Sequence, residues 1–405
     1  MKICVISKDD VRGGGASAVA GNLTTLYRKL GHSAEHFHIN RQDANHPYGD
    51  ARPLIQWLKK KEARKGLRDY NSFELLSKRF RSLPDKFDVI HLHDMSTVFS
   101  PGAIAWLSKR VTTVWTIHDC SPFTAGCLYP GNCIGYKRTC GNCPQHFSWP
   151  ISSNHDRTTE LHERRKLLRD SNLHFTAPSH WMIGMYEDAG WPIKKISYVP
   201  NGVNLAIFKP NDRKKLREKY EIKPSSGPLL LFSAGWLHDD RKGPHEVVQF
   251  FKGLASLNPK LILVGRYSDD ADKLFRALDC EHFGFVKSGE ERSEIFSMCD
   301  ATLLFSKEEN APLIALESLS VGTPIFGFNS GGIGEIVVNG ITGFVGSRLE
   351  MPQIISEADK LLSQSDQSQT HTFCRERAET NYGDAAVAQL YIELFEDLKR
   401  KEILR

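Results

Sequence analysis

Ser306-Lys-Glu-Glu309-Asn310-Ala311-Pro312-Leu313-Ile-Ala-Leu-Glu317 runs on through Gly322-Thr-Pro324 to Gly331-Gly332-Ile-Gly-Glu335. The stretch sets two carboxylates eight positions apart, one before a helix start and one inside the helix. Pro312 fits the first turn of that helix, where a missing N–H costs nothing. A carboxylate offers two acceptor oxygens, which match two vicinal hydroxyls such as those of a ribose. Glu309 and the backbone of Asn310, Ala311, Pro312 and Leu313 stand at the helix start, where phosphate or sugar hydroxyls are held well. Two surface glutamates are the plainer alternative, and the Gly/Pro punctuation around them argues against it.

Outward from this block, short β-rich runs alternate with helical stretches. Lys2–Ser7, Phe87–His93, Val111–His118, Leu173–Ala177 and Ile196–Pro200 read as strands in the first half. Leu229–Ala234, Leu261–Val264, Ala301–Phe305 and Pro324–Phe328 read as strands in the second. Ser17–Leu30 and Ala385–Leu404 read as helices, the latter with Leu390, Ile392 and Leu394 among its apolar residues. Such alternation implies parallel sheets with right-handed crossovers. The expected fold class is α/β, with two Rossmann-like domains facing across a deep cleft. The expected boundaries are 1–203 for the first domain, 204–380 for the second, and 381–405 for a helix returning to the first.

A chain of 405 residues suits two domains, and 40% hydrophobic with 25% charged residues suits a folded core. The net charge of +5 is too weak to argue for nucleic acid by itself and agrees with anionic ligands or an anionic membrane surface. No stretch approaches the ~18 apolar residues of a membrane-spanning helix, and the N-terminal apolar run is too short for a secretory signal. The expected location is the cytoplasm, with peripheral contact at the inner face of the membrane. That contact would come from Gln56–Tyr70, which holds Lys59, Lys60, Lys61, Arg64, Lys65 and Arg68 beside Trp57. A solvated helix face is the alternative.

Other segments carry chemistry. Arg12-Gly13-Gly14-Gly15 joins the first strand to a helix, where Gly14 and Gly15 let a phosphate approach backbone N–H groups. It does not meet the G-x-G-x-x-G pattern, and a tight turn is the competing reading. Arg241-Lys242-Gly243 supplies cations that a diphosphate needs. His118-Asp119 closes a Val/Thr-rich strand, at the end of a sheet where ligands gather, and His91 and His93 close a neighbouring one. Cys127, Cys133, Cys140 and Cys143 form C-x5-C-x6-C-x2-C, a set able to surround a structural zinc; disulfides or free thiols are the alternatives. Cys4, Cys280 and Cys299 lie in apolar contexts and read as core.

Taken together, the Gly13–Gly15 turn, Val199-Pro-Asn-Gly202-Val-Asn-Leu-Ala-Ile-Phe208, Lys242-Gly243, Ser306 to Pro324 and Gly331-Gly332-Ile-Gly-Glu335 resemble glycosyltransferase family 4, retaining enzymes of the GT-B fold. The loop from Trp115-Thr-Ile-His118-Asp119 to Cys140-Gly-Asn-Cys143-Pro is similar to a subgroup that includes colanic-acid-type exopolysaccharide transferases. The resemblance implies a hexosyltransferase-type enzyme using a UDP- or GDP-sugar and a glycan acceptor, lipid-linked in polysaccharide assembly. It implies no cofactor in catalysis, and no nucleic-acid partner. By the resemblance, Glu317 binds the ribose, Glu309 and the amides after it hold the donor sugar and phosphate, and Lys242 neutralises the diphosphate. Gly14 and Gly15 approach the donor, Val286 meets the base, His118 contacts the transferred sugar or the acceptor, and Asp119 lies on the acceptor side. Two departures stand out: Trp236 follows Gly235 where many members have Arg, a charge that Arg241 would have to supply, and Glu309-Asn-Ala-Pro replaces Glu-Gly-Phe-Gly. The competing readings are a same-fold sugar-nucleotide epimerase or hydrolase, a zinc-bearing nucleic-acid or partner-binding module, and an inactive scaffold.

Overall fold

The computed structural model describes residues 1–10, 13–40, 46–64, 69–96, 98–146, 150–151, 156–192, 195–222 and 227–403. Arg12, Lys65 and Arg68, named above, lie outside them. The chain divides into two compact units, Met1–Pro200 with Val387–Arg405, and Asn201–Ala386.

In the first unit, six strands occur among the described residues: β1 (Lys2–Ser7), β2 (Ser33–His38), β3 (Val89–His93), β4 (Thr112–Thr116), β5 (His174–Ala177) and β6 (Ile196–Tyr198). They pair in parallel in the order β2-β1-β3-β4-β5-β6. β3 and β4 are buried along their whole length, as expected of inner strands covered on both faces. The helix Gly15–Lys29 buries Val19, Leu23, Leu26 and Tyr27 and stops before Gly31, whose φ is +85°. The C-terminal helix Asp384–Ile403 belongs to this unit from Val387 onward. Its buried stripe is Val387, Tyr391 and Phe395 at helical spacing, whereas Leu390, another of its apolar residues, is exposed. Lys399 pairs with Asp88 at 2.9 Å and Glu402 accepts from Thr112 at 2.6 Å, fastening the helix end to the sheet.

The second unit repeats the plan with β7 (Leu229–Trp236), β8 (Lys260–Arg266), β9 (Cys280–His282), β10 (Ala301–Leu304), β11 (Ile325–Phe328) and β12 (Gly343–Gly346), all parallel, in the order β12-β11-β10-β7-β8-β9. The α/β, twice Rossmann-like class expected from the sequence is the one observed. Three strands escape the sequence reading, β2, β9 and β12, and each is at the edge of its sheet. An edge strand has one neighbour and partial cover, so it needs no continuous apolar run; Cys280–His282 is largely exposed.

Strand order reverses direction between β1 and β3 in the first sheet and between β7 and β10 in the second. In open parallel sheets the loops beyond the carboxyl ends at such a point diverge and leave a crevice for ligands.

Candidate active site

Beyond β10, the loop Phe305–Pro312 leads into the helix Leu313–Ser320; beyond β7, the chain turns through Asp239–Gly243. Pro312 stands before this helix in extended conformation, a correction of one position to the expected first turn. The two loops meet because two glycines allow it. Gly243 has φ +72° and a Cβ there would run into the Phe305 carbonyl. Gly331 has φ +62°, and a Cβ there would strike the Glu309 backbone, whose carbonyl accepts from Gly332 N at 2.9 Å.

Glu309 is 6% exposed. Its Oε1 accepts from Lys242 Nζ, and from Arg241 Nη1 at 3.0 Å. Arg241 also reaches the Glu308 carbonyl at 3.1 Å. Burial pushes the Glu309 carboxyl up, but Lys242 and Arg241 more than offset it, so it lies below its ordinary range. The sequence brought Glu309, Arg241 and Lys242 to one ligand; the structure brings them to one another. Asn310 is buried, and Asn201 Nδ2 holds the Ala311 carbonyl at 2.9 Å.

Glu317, equally buried, pairs through Oε1 with Arg292 of the helix Gly289–Met298. Burial drives its carboxyl up to about 7, with Arg292 pulling against it. Arg292 escaped the sequence reading, since one arginine among Glu290, Glu291 and Glu294 carries no signal of its own. Its Nε is buried without a hydrogen-bond partner among the described residues.

At the ends of β7, β8 and the segment after β9, the Arg266 guanidinium lies over Phe285 at 4.3 Å and over Trp236 at 5.3 Å. Arg266 is thus a cation beside the position where Trp236 follows Gly235, and Arg241 is engaged with Glu309 instead. Val286 is buried beside this platform, while Phe285 and Trp236 are exposed.

In the first unit, His118 follows β4 and its Nε2 meets His93 Nδ1 at 3.0 Å. His93 Nε2 meets His91 Nδ1 at 3.3 Å, and His91 Nε2 meets Thr116 Oγ1 at 2.8 Å. Thr116 Oγ1 also contacts Thr176 Oγ1 at 2.8 Å and Tyr391 of the C-terminal helix at 2.9 Å. Burial lowers His118 to about 4 and His91 to about 3, and holds His93 well below its ordinary value, so all three imidazoles are neutral near pH 7. Asp119 is raised by burial, against hydrogen bonds from Ser121 N at 2.8 Å and Ser96 Oγ at 3.2 Å. Gly14 is the N-cap of the helix that starts at Gly15, with no acidic residue in its first turn.

All nine cysteines are free thiols. Cys127, Cys133, Cys140 and Cys143 line one pocket with Tyr136 and Gln145, whereas Cys120 is buried in the core. Among the described residues, no three His, Cys, Asp or Glu side chains stand close enough together to hold a metal ion. Cys4 and Cys299 are buried as expected; Cys280 is half-buried on an edge strand.

The basic stretch forms the helix Arg52–Arg64 with Leu54 and Trp57 exposed and Lys61 over the Trp57 ring at 5.1 Å. Lys59, expected on the lipid-facing side, points inward. It pairs with Glu74 at 2.7 Å and Asp69 at 3.0 Å and donates to the Val98 carbonyl at 2.8 Å. Among the described residues, no helix is long and apolar enough to cross a membrane.

Residues 13–207 match the profile described as Glycosyltransferase Family 4, and residues 212–380 that of Glycosyl transferases group 1. Carrying both domains, the chain belongs to this glycosyltransferase family. It is 27% identical over 243 residues to the lipopolysaccharide 1,2-N-acetylglucosaminetransferase of Salmonella typhimurium, covering 56% of this chain and 62% of that protein. It is 24% identical over 293 residues to WcaC of Escherichia coli K12, a glycosyl transferase assigned to colanic acid biosynthesis, covering 71% and 69%. The chain thus spans less than two thirds of the length of the first of these relatives. The crystal structure of Anabaena Alr3699/HepE in complex with UDP-glucose superposes with TM-score 0.68 at 16% identity, covering 98% of this chain and all of that one. This likeness shows the fold class, GT-B, with two Rossmann-like units.

Proposed function

We propose that this glycosyltransferase moves a hexose from a UDP- or GDP-sugar to a glycan acceptor, lipid-linked, in bacterial polysaccharide assembly, with retention at the anomeric carbon. The observation that carries the reading is the cluster of Lys242 and Arg241 on buried Glu309, at the strand-order reversal of the second sheet. It sets two cations and a carboxylate where a sugar diphosphate would enter. Lys242 and Arg241 turn to the leaving diphosphate, Glu309 and the Asn310–Leu313 backbone hold the sugar, and Glu317, oriented by Arg292, takes the ribose hydroxyls. Arg266 and Phe285, next to Val286, form a surface on which a base stacks. In the first unit, the Gly14–Gly15 backbone offers an anion site and His118 with Asp119 meets sugar or acceptor hydroxyls.

The protein's contribution is placement and stabilisation of the departing charge. The leaving diphosphate takes the acceptor proton, so the reaction needs no separate base. The relatives' names support polysaccharide or lipopolysaccharide assembly as the setting, and the UDP-glucose complex of the structural neighbour supports a uridine donor. We further assign the Cys127–Cys143 pocket to a structural zinc that would draw its four thiols together, and the Trp57 face of Arg52–Arg64 to an anionic membrane surface.

Thermal melting against a panel of sugar nucleotides identifies the donor, because a ligand that binds the folded chain raises its apparent stability. Donor consumption is then followed with and without glycan acceptor, and the anomeric configuration of the product is read by NMR. Turnover of donor without acceptor would point to an epimerase or hydrolase, and an inverted product would refute retention.

A further inference from the structure

The buried histidine chain of the first unit has a direction, and one phenol decides it. A neutral imidazole carries one N–H, so each ring donates from one nitrogen and accepts at the other. Tyr27, on the helix Gly15–Lys29, is fully buried. Among the described residues its hydroxyl meets one hydrogen-bond partner, His91 Nδ1, at 3.1 Å. A buried hydroxyl hydrogen needs an acceptor, so Tyr27 donates and His91 Nδ1 is bare. His91 therefore carries its proton on Nε2 and donates to Thr116 Oγ1, which passes its own hydrogen to Thr176 or Tyr391.

The same bare His91 Nδ1 faces His93 Nε2 at 3.3 Å. Two lone pairs at that distance repel, so His93 Nε2 bears the hydrogen and shares the acceptor with Tyr27. His93 Nδ1 is then bare and accepts from His118 Nε2–H across 3.0 Å. His118 is left with a bare Nδ1, which nothing among the described residues engages. The opposite polarity would leave the Tyr27 hydrogen without an acceptor in the core.

We propose that Tyr27, acting through His91 and His93, sets the tautomer of His118 so that its bare Nδ1 accepts a hydrogen bond from a substrate hydroxyl. Tyr27 and His93 are positioning residues in this scheme, and His118 is the group that meets substrate. The last step rests on the reading of His118 as a substrate contact; the tautomer does not.

The test uses the full chain labelled with 15N-histidine, since bare and protonated imidazole nitrogens resonate far apart. His118 signals are identified by their loss in His118→Ala. The expected spectrum has His118 protonated at Nε2 and bare at Nδ1, and Tyr27→Phe moves both nitrogens toward averaged shifts. Tyr27→Phe also lowers kcat by roughly an order of magnitude with the donor KM unchanged. A protonated Nδ1 in the unaltered protein overturns the proposal whatever the variant's stability, as does an unchanged His118 spectrum in folded Tyr27→Phe. Should His118→Ala transfer at the unaltered rate while the spectra are as expected, the substrate contact falls and the tautomer assignment stands.

Discussion

Lys242 and Glu309, 67 residues apart in sequence, share an ion pair at the strand-order reversal of the second unit. Arg241 completes the cluster at 3.0 Å from the same carboxylate oxygen. Two cations around one buried carboxylate leave a net positive charge, the arrangement that stabilises a departing diphosphate.

Lys242→Ala removes one of the two cations and with it that net positive charge. The expected result is a loss of about 10²–10³-fold in kcat, the usual effect of deleting one donor to developing negative charge. Steady-state transfer assays on variant protein with native circular dichroism check it. A rate within twofold of the unaltered enzyme would remove Lys242 from the reaction.

Glu317 governs stability against pH with a definite sign. Its folded carboxyl lies at about 7, above the ordinary 4.5. Between those values the folded chain binds the proton and the unfolded chain does not, so this group's stabilisation is present below about 4.5 and lost as pH rises through 7. Asp94, raised to about 7 by burial and by Asp119, adds loss of the same sign. Glu309, held low, acts oppositely and only at acid pH. Glu317→Gln should therefore gain melting temperature relative to the unaltered chain at pH 8 compared with pH 5. An equal difference at both pH values would mean that Glu317 ionises normally.

Lys59 separates packing from surface charge on the helix Arg52–Arg64. Lys59→Ala leaves Glu74, which is fully buried, and Asp69 without their cation, and should cost about 3–5 kcal/mol in denaturant unfolding. Lys60→Ala and Lys61→Ala should leave stability within about 0.5 kcal/mol and weaken sedimentation with phosphatidylglycerol vesicles. If Lys59→Ala melts like the unaltered chain, the inward contacts are without energetic weight.

The thiol pocket is checked by metal analysis of chain purified without chelator. One zinc per chain is expected, with a fall in melting temperature on chelation and loss of the metal in Cys140→Ser. Four freely titrating thiols and no bound metal would leave the loop as a plain pocket.

The inner strands were legible because burial on both faces favours apolar runs, as in Leu-Leu-Leu-Phe at 229–232 and Leu-Ile-Leu-Val at 261–264. Edge strands such as Ser33–His38 and Cys280–His282 escaped because partial cover imposes no such run. The C-terminal helix was legible as a helix, but its packed face was not: Tyr391 and Phe395 lie against His91, at 4.6 and 5.3 Å between ring centroids, contacts that depend on sheet position.

At the site, residue types and their glycine punctuation sufficed to single out Glu309, Glu317, Arg241, Lys242 and His118. What they touch was not in the pattern. Arg292 on Glu317, Arg266 on Phe285 and Tyr27 on His91 come from different elements, and nothing local marks them. Helix and strand periodicity, and the signals that start and stop them, act over a few residues and can be read along the chain. Ion pairs, buried carboxyl shifts and the direction of a histidine chain depend on which loops the strand order sets side by side, and only the folded arrangement decides that.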